Sequence, residues 1–90
     1  REVRANDIII DTGSTPRPIS GLDWDPKRVF NSDHATTEPY WPKRVIVRGG
    51  GATGLEFASV YRDFDCDVTL VGRVAPNEDD EVQRELTRAY

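Results

Sequence analysis

The apolar positions of the chain fall into short continuous runs and longer periodic stretches. Continuous runs occur at Ile8, Ile9 and Ile10, at residues 44–47 (Arg-Val-Ile-Val) and at residues 68–71 (Val-Thr-Leu-Val). Their apolar side chains follow one another rather than alternate, which predicts strands covered on both faces, as in a parallel sheet. Between the last two runs, residues 52–64 carry apolar side chains at helical spacing. Leu55, Ala58 and Tyr61 lie along one side, with Phe57, Val60 and Phe64 beside them. Asp65, Cys66 and Asp67 make the turn back into a strand. A last helix is expected near the end, capped by Asn77, with Val82, Leu86 and Ala89 as its apolar stripe. Its acidic run, residues 78–81, then lies in the first turn, where the helix dipole favours negative charge. That role stands against a metal or basic-partner site for the same residues.

The first strand stops at Thr12, Gly13 and Ser14, a turn-forming group. Residues 13–42 behave differently from the rest. They hold five of the six prolines and show little periodicity. One helical turn is expected over residues 33–37, with Asn31, Ser32 and Asp33 supplying cap-type side chains. An irregular segment this long is uncommon inside one compact domain, so it predicts a link between two domains. The expected order is a strand, a long crossover and a Rossmann-like β-α-β unit of the α/β class with parallel strands, divided at residues 1–14, 15–42 and 43–90.

Composition narrows the function classes. Ninety residues make at most one small domain, and apolar residues at 37% leave its stability marginal without partners. Twelve basic residues against sixteen acidic ones give a net charge of −4. That argues against a nucleic-acid binder or a basic membrane-surface helix. Neither a transmembrane run nor a signal peptide is visible. The single cysteine, Cys66, cannot make an internal disulfide or a paired-cysteine metal site, and a cytoplasmic setting is the default. The chain starts at Arg1 rather than methionine and stops at Tyr90 within a helical pattern, which suggests a fragment of something larger.

The chemistry concentrates at Gly49, Gly50, Gly51, Ala52, Thr53 and Gly54, where Gly49, Gly51 and Gly54 fit G-x-G-x-x-G. Alone, this pattern is weak. Here it follows a strand, opens a helix and leads to a second strand about twenty residues on, the context a dinucleotide site requires. In such a site the first glycine permits a tight turn, and the second lets backbone approach a pyrophosphate. The third lets helix and strand pack closely, and the helix N-terminus offers free N–H groups to phosphate. The competing reading is a glycine-rich turn with no ligand.

Residues 43–73, KRVIVRGGGATGLEFASVYRDFDCDVTLVGR, resemble the second dinucleotide motif of the FAD-dependent pyridine nucleotide–disulfide oxidoreductases, in the form G-x-G-x-x-G-x-E with Glu56 as its last member. "IIIDTGSTP" resembles the family's "IIIATGSxP", which closes its FAD-binding domain. "PNEDDEVQREL" resembles its "LPxxDxEVxxxL" helix, and "VFNSDHAT" resembles the segment between its domains. The three main segments agree in order and spacing and cover nearly the whole chain. The resemblance implies that residues 1–14 end an FAD-binding domain, with Thr12 and Gly13 near its cofactor. Residues 43–90 then begin an NAD(P)-binding domain. In the intact flavoenzyme, expected to be a homodimer, this part would present the nicotinamide to FAD for hydride transfer. Glu56 is then either the glutamate near the nicotinamide or an ordinary exposed helix residue. The family's first FAD motif, its C-x-x-x-x-C redox pair and its catalytic His-Glu pair are not among these residues. His34 is expected to be a solvated loop side chain, and Cys66 a small packing residue. The 90 residues alone are expected not to turn over.

Four positions depart from the family pattern. Asp11 stands for alanine, and Arg48 for an apolar residue at the end of the strand. Asp65 replaces the glycine that ends the helix, and Gly72 the glutamate that NAD-using members place after the second strand. Charges at Asp11 and Arg48 would be costly if buried unpaired. Asp65 in a left-handed cap costs up to about 1 kcal/mol relative to glycine. Gly72 supplies no carboxylate for a ribose hydroxyl, and "GRVAP" is a few residues shorter than the family's "ERxxRVLP". Arg73 is then either a contact for a 2′-phosphate or a solvated surface arginine. The alternative function is a non-catalytic fragment whose nucleotide site these substitutions have damaged.

Overall fold

The β-branched run and the helical stretch after it form a β-α-β unit. In the computed structural model, which describes residues 1–25, 27–37 and 40–90, the elements are α1 (Ser32–Thr37), β1 (Arg44–Gly50), α2 (Ala52–Asp63), β2 (Asp67–Val74) and α3 (Asp80–Ala89). β1 and β2 pair in parallel, with Val45 opposite Val68 and Val47 opposite Leu70. This is the expected Rossmann-like α/β arrangement, and both strands run further than their apolar cores, β1 through Gly50 and β2 through Val74.

The two strands alternate in phase. Val45, Val47, Val68 and Leu70 are half-buried, whereas Ile46 and Val71 are 72% and 50% exposed. α2 covers one face, and Leu55, Ala58 and Tyr61 are its buried residues, as their spacing predicts. The expectation of strands covered on both faces is therefore corrected. α2 packs on both strands at the face that carries Val47, α3 touches β2, and Ile46 and Val71 stay exposed. Val60 and Phe64, expected beside the buried stripe, are 41% and 61% exposed.

The turn after α2 is a left-handed cap. Asp65 has φ +59°. Its N–H donates to the Arg62 carbonyl, and the Cys66 N–H donates to the Tyr61 carbonyl, both at 3.0 Å. These two bonds close the helix in the Schellman manner with aspartate where glycine is usual. Cys66 is buried as a packing residue. Trp41 stacks on Phe64 with ring centroids 4.1 Å apart and meets Tyr61 edge-on at 5.6 Å, which fastens the end of the crossover to α2.

Three further expectations need correction. Ile8, Ile9 and Ile10 form no strand and are 78%, 92% and 84% exposed, because a strand needs a neighbour to share its backbone hydrogen bonds and none of the described residues pairs with them. Asn77 does not cap the last helix. Asp79 does, with Oδ1 accepting from the Glu81 and Val82 N–H groups at 3.0 Å each. Glu78 consequently precedes the helix, and of the intended stripe Leu86 is half-buried while Val82 and Ala89 are exposed. His34 is half-buried rather than solvated. Its N–H donates to Asn31 Oδ1 at 3.1 Å, and its Nδ1 accepts the Asn31 N–H at 3.4 Å, a reciprocal cap for α1. The charges at Asp11 and Arg48 are exposed, so neither carries a burial penalty.

Residues 1–15 are exposed throughout. The radius of gyration is 17.0 Å, against about 12 Å expected for a compact domain of this length.

Candidate functional site

The site is built where β1 hands over to α2. Gly49 has φ +106°, which a residue with a Cβ rarely adopts, and it sits where the pairing of β1 with β2 shifts register. Gly51 follows in extended conformation, with φ −73° and ψ 178°, and is the N-cap of α2. The first intrahelical bond is Leu55 N–H to the Gly51 carbonyl at 3.0 Å. The N–H groups of the first turn, at Ala52, Thr53 and Gly54, precede it and have no intrahelical acceptor. No side chain caps them, and no acidic residue lies in that turn. A Cβ on Gly51 would meet nothing within 4 Å, so the approach to these donors is open.

Gly54 shows why the third glycine is needed. A Cβ there would overlap the Gly49 carbonyl oxygen and lie 3.6 Å from Val47 Cγ1. Helix and strand approach too closely for a side chain. The donor set, the open cap and this close packing are what a backbone cradle for an anionic group such as a pyrophosphate requires.

The end of β2 closes against the same turn. The register shifts between Arg48 and Gly50, so that Arg48 pairs with Val71 but Gly50 with Val74. Gly72 takes φ +136°, and a Cβ on it would lie 3.5 Å from the Gly49 Cα. A Cβ on buried Gly50 would overlap the Arg73 carbonyl oxygen, and the Ala75 N–H donates to the Gly50 carbonyl at 2.6 Å. Ala75 itself holds φ +45° and is buried. Gly72 is thus more than a missing carboxylate. Any side chain there would be strained by the backbone conformation.

An open groove of about 950 Å³ runs along the free edge of β1. Gly49, Gly51, Ala52, Thr53 and Gly54 line one end of it. Arg48 lines it too, as do Trp24, Phe30 and Tyr40 from the crossover, which the sequence did not mark as site residues. The signal for Arg48 was present, a charge inside an apolar strand run. Nothing in the proline-rich segment pointed to its aromatics. Tyr61 lies deeper in the groove, and burial, with Cys66 as a lesser cause, holds its phenol above the ordinary value of 10.0. Thr12, Gly13, Glu56, Gly72 and Arg73 are exposed and do not line the groove. Among the described residues no group of three or more His, Cys, Asp or Glu could hold a metal ion. None of the helices found there is long and apolar enough to cross a membrane.

Residues 1–90 match the family described as pyridine nucleotide-disulphide oxidoreductase. The chain is 38% identical to the dihydrolipoyl dehydrogenase of Zymomonas mobilis over 98% of its length, which is 20% of that protein. It is 42% identical to the Bacillus subtilis dihydrolipoyl dehydrogenase over 88% of its length, 17% of that protein. The Chlorobaculum tepidum dihydrolipoyl dehydrogenase is also 42% identical, over the whole chain and 20% of its own. The chain thus spans about a fifth of the length of the relatives it matches. The last alignment extends over 93 positions against 90 residues here, at least three fewer in this chain.

Proposed function

The chain belongs to the pyridine nucleotide-disulphide oxidoreductase family, and on that premise we propose that it is the nicotinamide dinucleotide-binding part of a flavin-dependent disulfide oxidoreductase. The observation that carries this reading is the uncapped N-terminus of α2 behind the Gly49 turn. A nicotinamide dinucleotide bound there would supply hydride chemistry, with the flavin held by the rest of the flavoenzyme. The residues of this chain hold the pyrophosphate through the backbone of residues 51–54. Glu56, two residues beyond Gly54, serves the nicotinamide end, and Thr12 and Gly13 belong to the FAD side. The intact protein is a cytoplasmic homodimer in this reading.

The adenosine end is altered. Gly72 gives no carboxylate to accept from a ribose hydroxyl or to repel a 2′-phosphate, and exposed Arg73 follows it. An exposed charge contact is worth roughly 0.5–1 kcal/mol, less than tenfold in affinity. Weak binding with a slight preference for NADPH over NADH is therefore expected, read by titrating the fluorescence of each reduced cofactor. A folded chain that binds neither would overturn the reading. That result would favour a non-catalytic fragment, for which the missing carboxylate at Gly72 and the strand pairing at Gly50 and Val74 are the supporting features.

A further inference from the structure

Arg48 is the residue whose place in the fold its sequence context explains least. It ends an apolar run, yet its side chain is exposed. Among the described residues it makes no ion pair or side-chain hydrogen bond, whereas Arg4, Arg28 and Arg88 each pair with a carboxylate. It lies one residue before the Gly49 turn and lines the same groove as Gly51, Ala52 and Thr53. That end of the groove therefore offers two positive features and no negative one. They are the open donors of α2, with no acidic residue in the first turn, and a guanidinium that no side chain pairs with among the described residues. Exposed arginine forms planar, paired hydrogen bonds to phosphate oxygens.

We propose that Arg48 is a binding residue that contacts the diphosphate of the bound nucleotide, beside the backbone donors of residues 51–54. The proposal rests on the dinucleotide reading above and extends it to a side chain. Its consequence differs from that of Arg73. A diphosphate contact serves NADH, NADPH and ADP alike, whereas a 2′-phosphate contact serves NADPH only.

The test titrates the 90-residue chain and its Arg48→Leu and Arg48→Lys variants with NADH, NADPH and ADP at two salt concentrations. Circular dichroism confirms that each variant keeps the helicity of the parent chain. Arg48→Leu should weaken all three nucleotides equally, by about tenfold, the worth of one hydrogen bond to a charged group. Its salt dependence should also be shallower. Arg48→Lys, which keeps the charge but not the fork, should fall between and should keep the salt dependence. Equal binding by parent and Arg48→Leu, in a parent that does bind, overturns the role of Arg48 and leaves the dinucleotide reading standing. Loss confined to NADPH moves Arg48 to the ribose and overturns the proposal too. A folded parent that binds none of the three removes both. Should Arg48→Leu lose helicity, Arg48→Gln decides by the same outcomes, since it keeps a polar side chain at the exposed position.

Discussion

α2 and α3 begin in opposite ways. Asp79 caps α3 with two hydrogen bonds, and Asp80 and Glu81 add negative charge to its first turn. Gly51 caps α2 with no side chain, and no acidic residue follows. Yet α2 buries Leu55, Ala58 and Tyr61, while α3 buries no residue fully. The helix that is held by packing leaves its N-terminus vacant. The helix that lacks packing satisfies its own. Local capping is what an exposed helix depends on. A packed helix can leave its positive end available to an anion.

The largest effect should come from the close contact behind the vacant end. Gly54→Ala places a Cβ on the Gly49 carbonyl oxygen, and backbone on both sides cannot yield. A loss of about 3 kcal/mol is expected, read by urea unfolding followed by circular dichroism. The matching third position of α3 is Val82, 39% exposed, where Val82→Ala should change stability by only about 0.5 kcal/mol. Similar losses at the two positions would show that α2 is no more tightly seated than α3.

Removing the cap of α3 comes next. Asp79→Ala should cost about 1 kcal/mol of local helix stability. Faster amide exchange confined to α3 would report it, because little else packs on that helix. Loss of protection in α2 as well would mean that the two helices are coupled.

Giving α2 the device of α3 makes a smaller change in stability but a sharper one in function. Gly51 is extended and has open space around its missing Cβ, so Gly51→Asp is tolerated by the backbone. Stability should rise by a few tenths of a kcal/mol at about the level known for glycine caps. Binding of NADH should be lost, since the carboxylate occupies the donors. If the variant binds NADH as the parent does, the N-terminus of α2 is not where the phosphates sit.

The smallest effect is one of pH. Burial raises the Tyr61 phenol above its ordinary value of 10.0. The unfolded chain therefore loses that proton first as pH rises. The contribution is fully present below pH 10 and declines as pH climbs from there through the folded value. The melting temperature should fall more steeply above about pH 10 in the parent than in Tyr61→Phe. Identical profiles would show that the groove leaves Tyr61 as accessible as a surface tyrosine.

Much of the β-α-β unit was legible from spacing alone. The runs at residues 44–47 and 68–71, the helical stripe of Leu55, Ala58 and Tyr61 and the left-handed Asp65 each follow from short-range sterics and periodicity. So does the close approach at Gly54, because only glycine fits where helix and strand touch. What spacing could not decide was which neighbours exist. Ile8, Ile9 and Ile10 read as a buried strand, but burial and pairing are supplied by other segments, and none lies against them here. The same holds for Ile46 and Val71 on the bare face of the sheet. Competition between adjacent cap residues was equally out of reach. Asn77 and Asp79 have similar propensities, and the turn after Ala75, where the Glu78 N–H donates to the Ala75 carbonyl at 3.0 Å, delays the helix to Asp80. Gly72 looked like a lost carboxylate in the sequence. Only the pairing of β1 with β2 shows that its φ of +136° excludes a comfortable side chain. Sequence encodes what a residue and its near neighbours permit. The tertiary structure decides burial, pairing and backbone strain, because each depends on atoms brought together from distant positions.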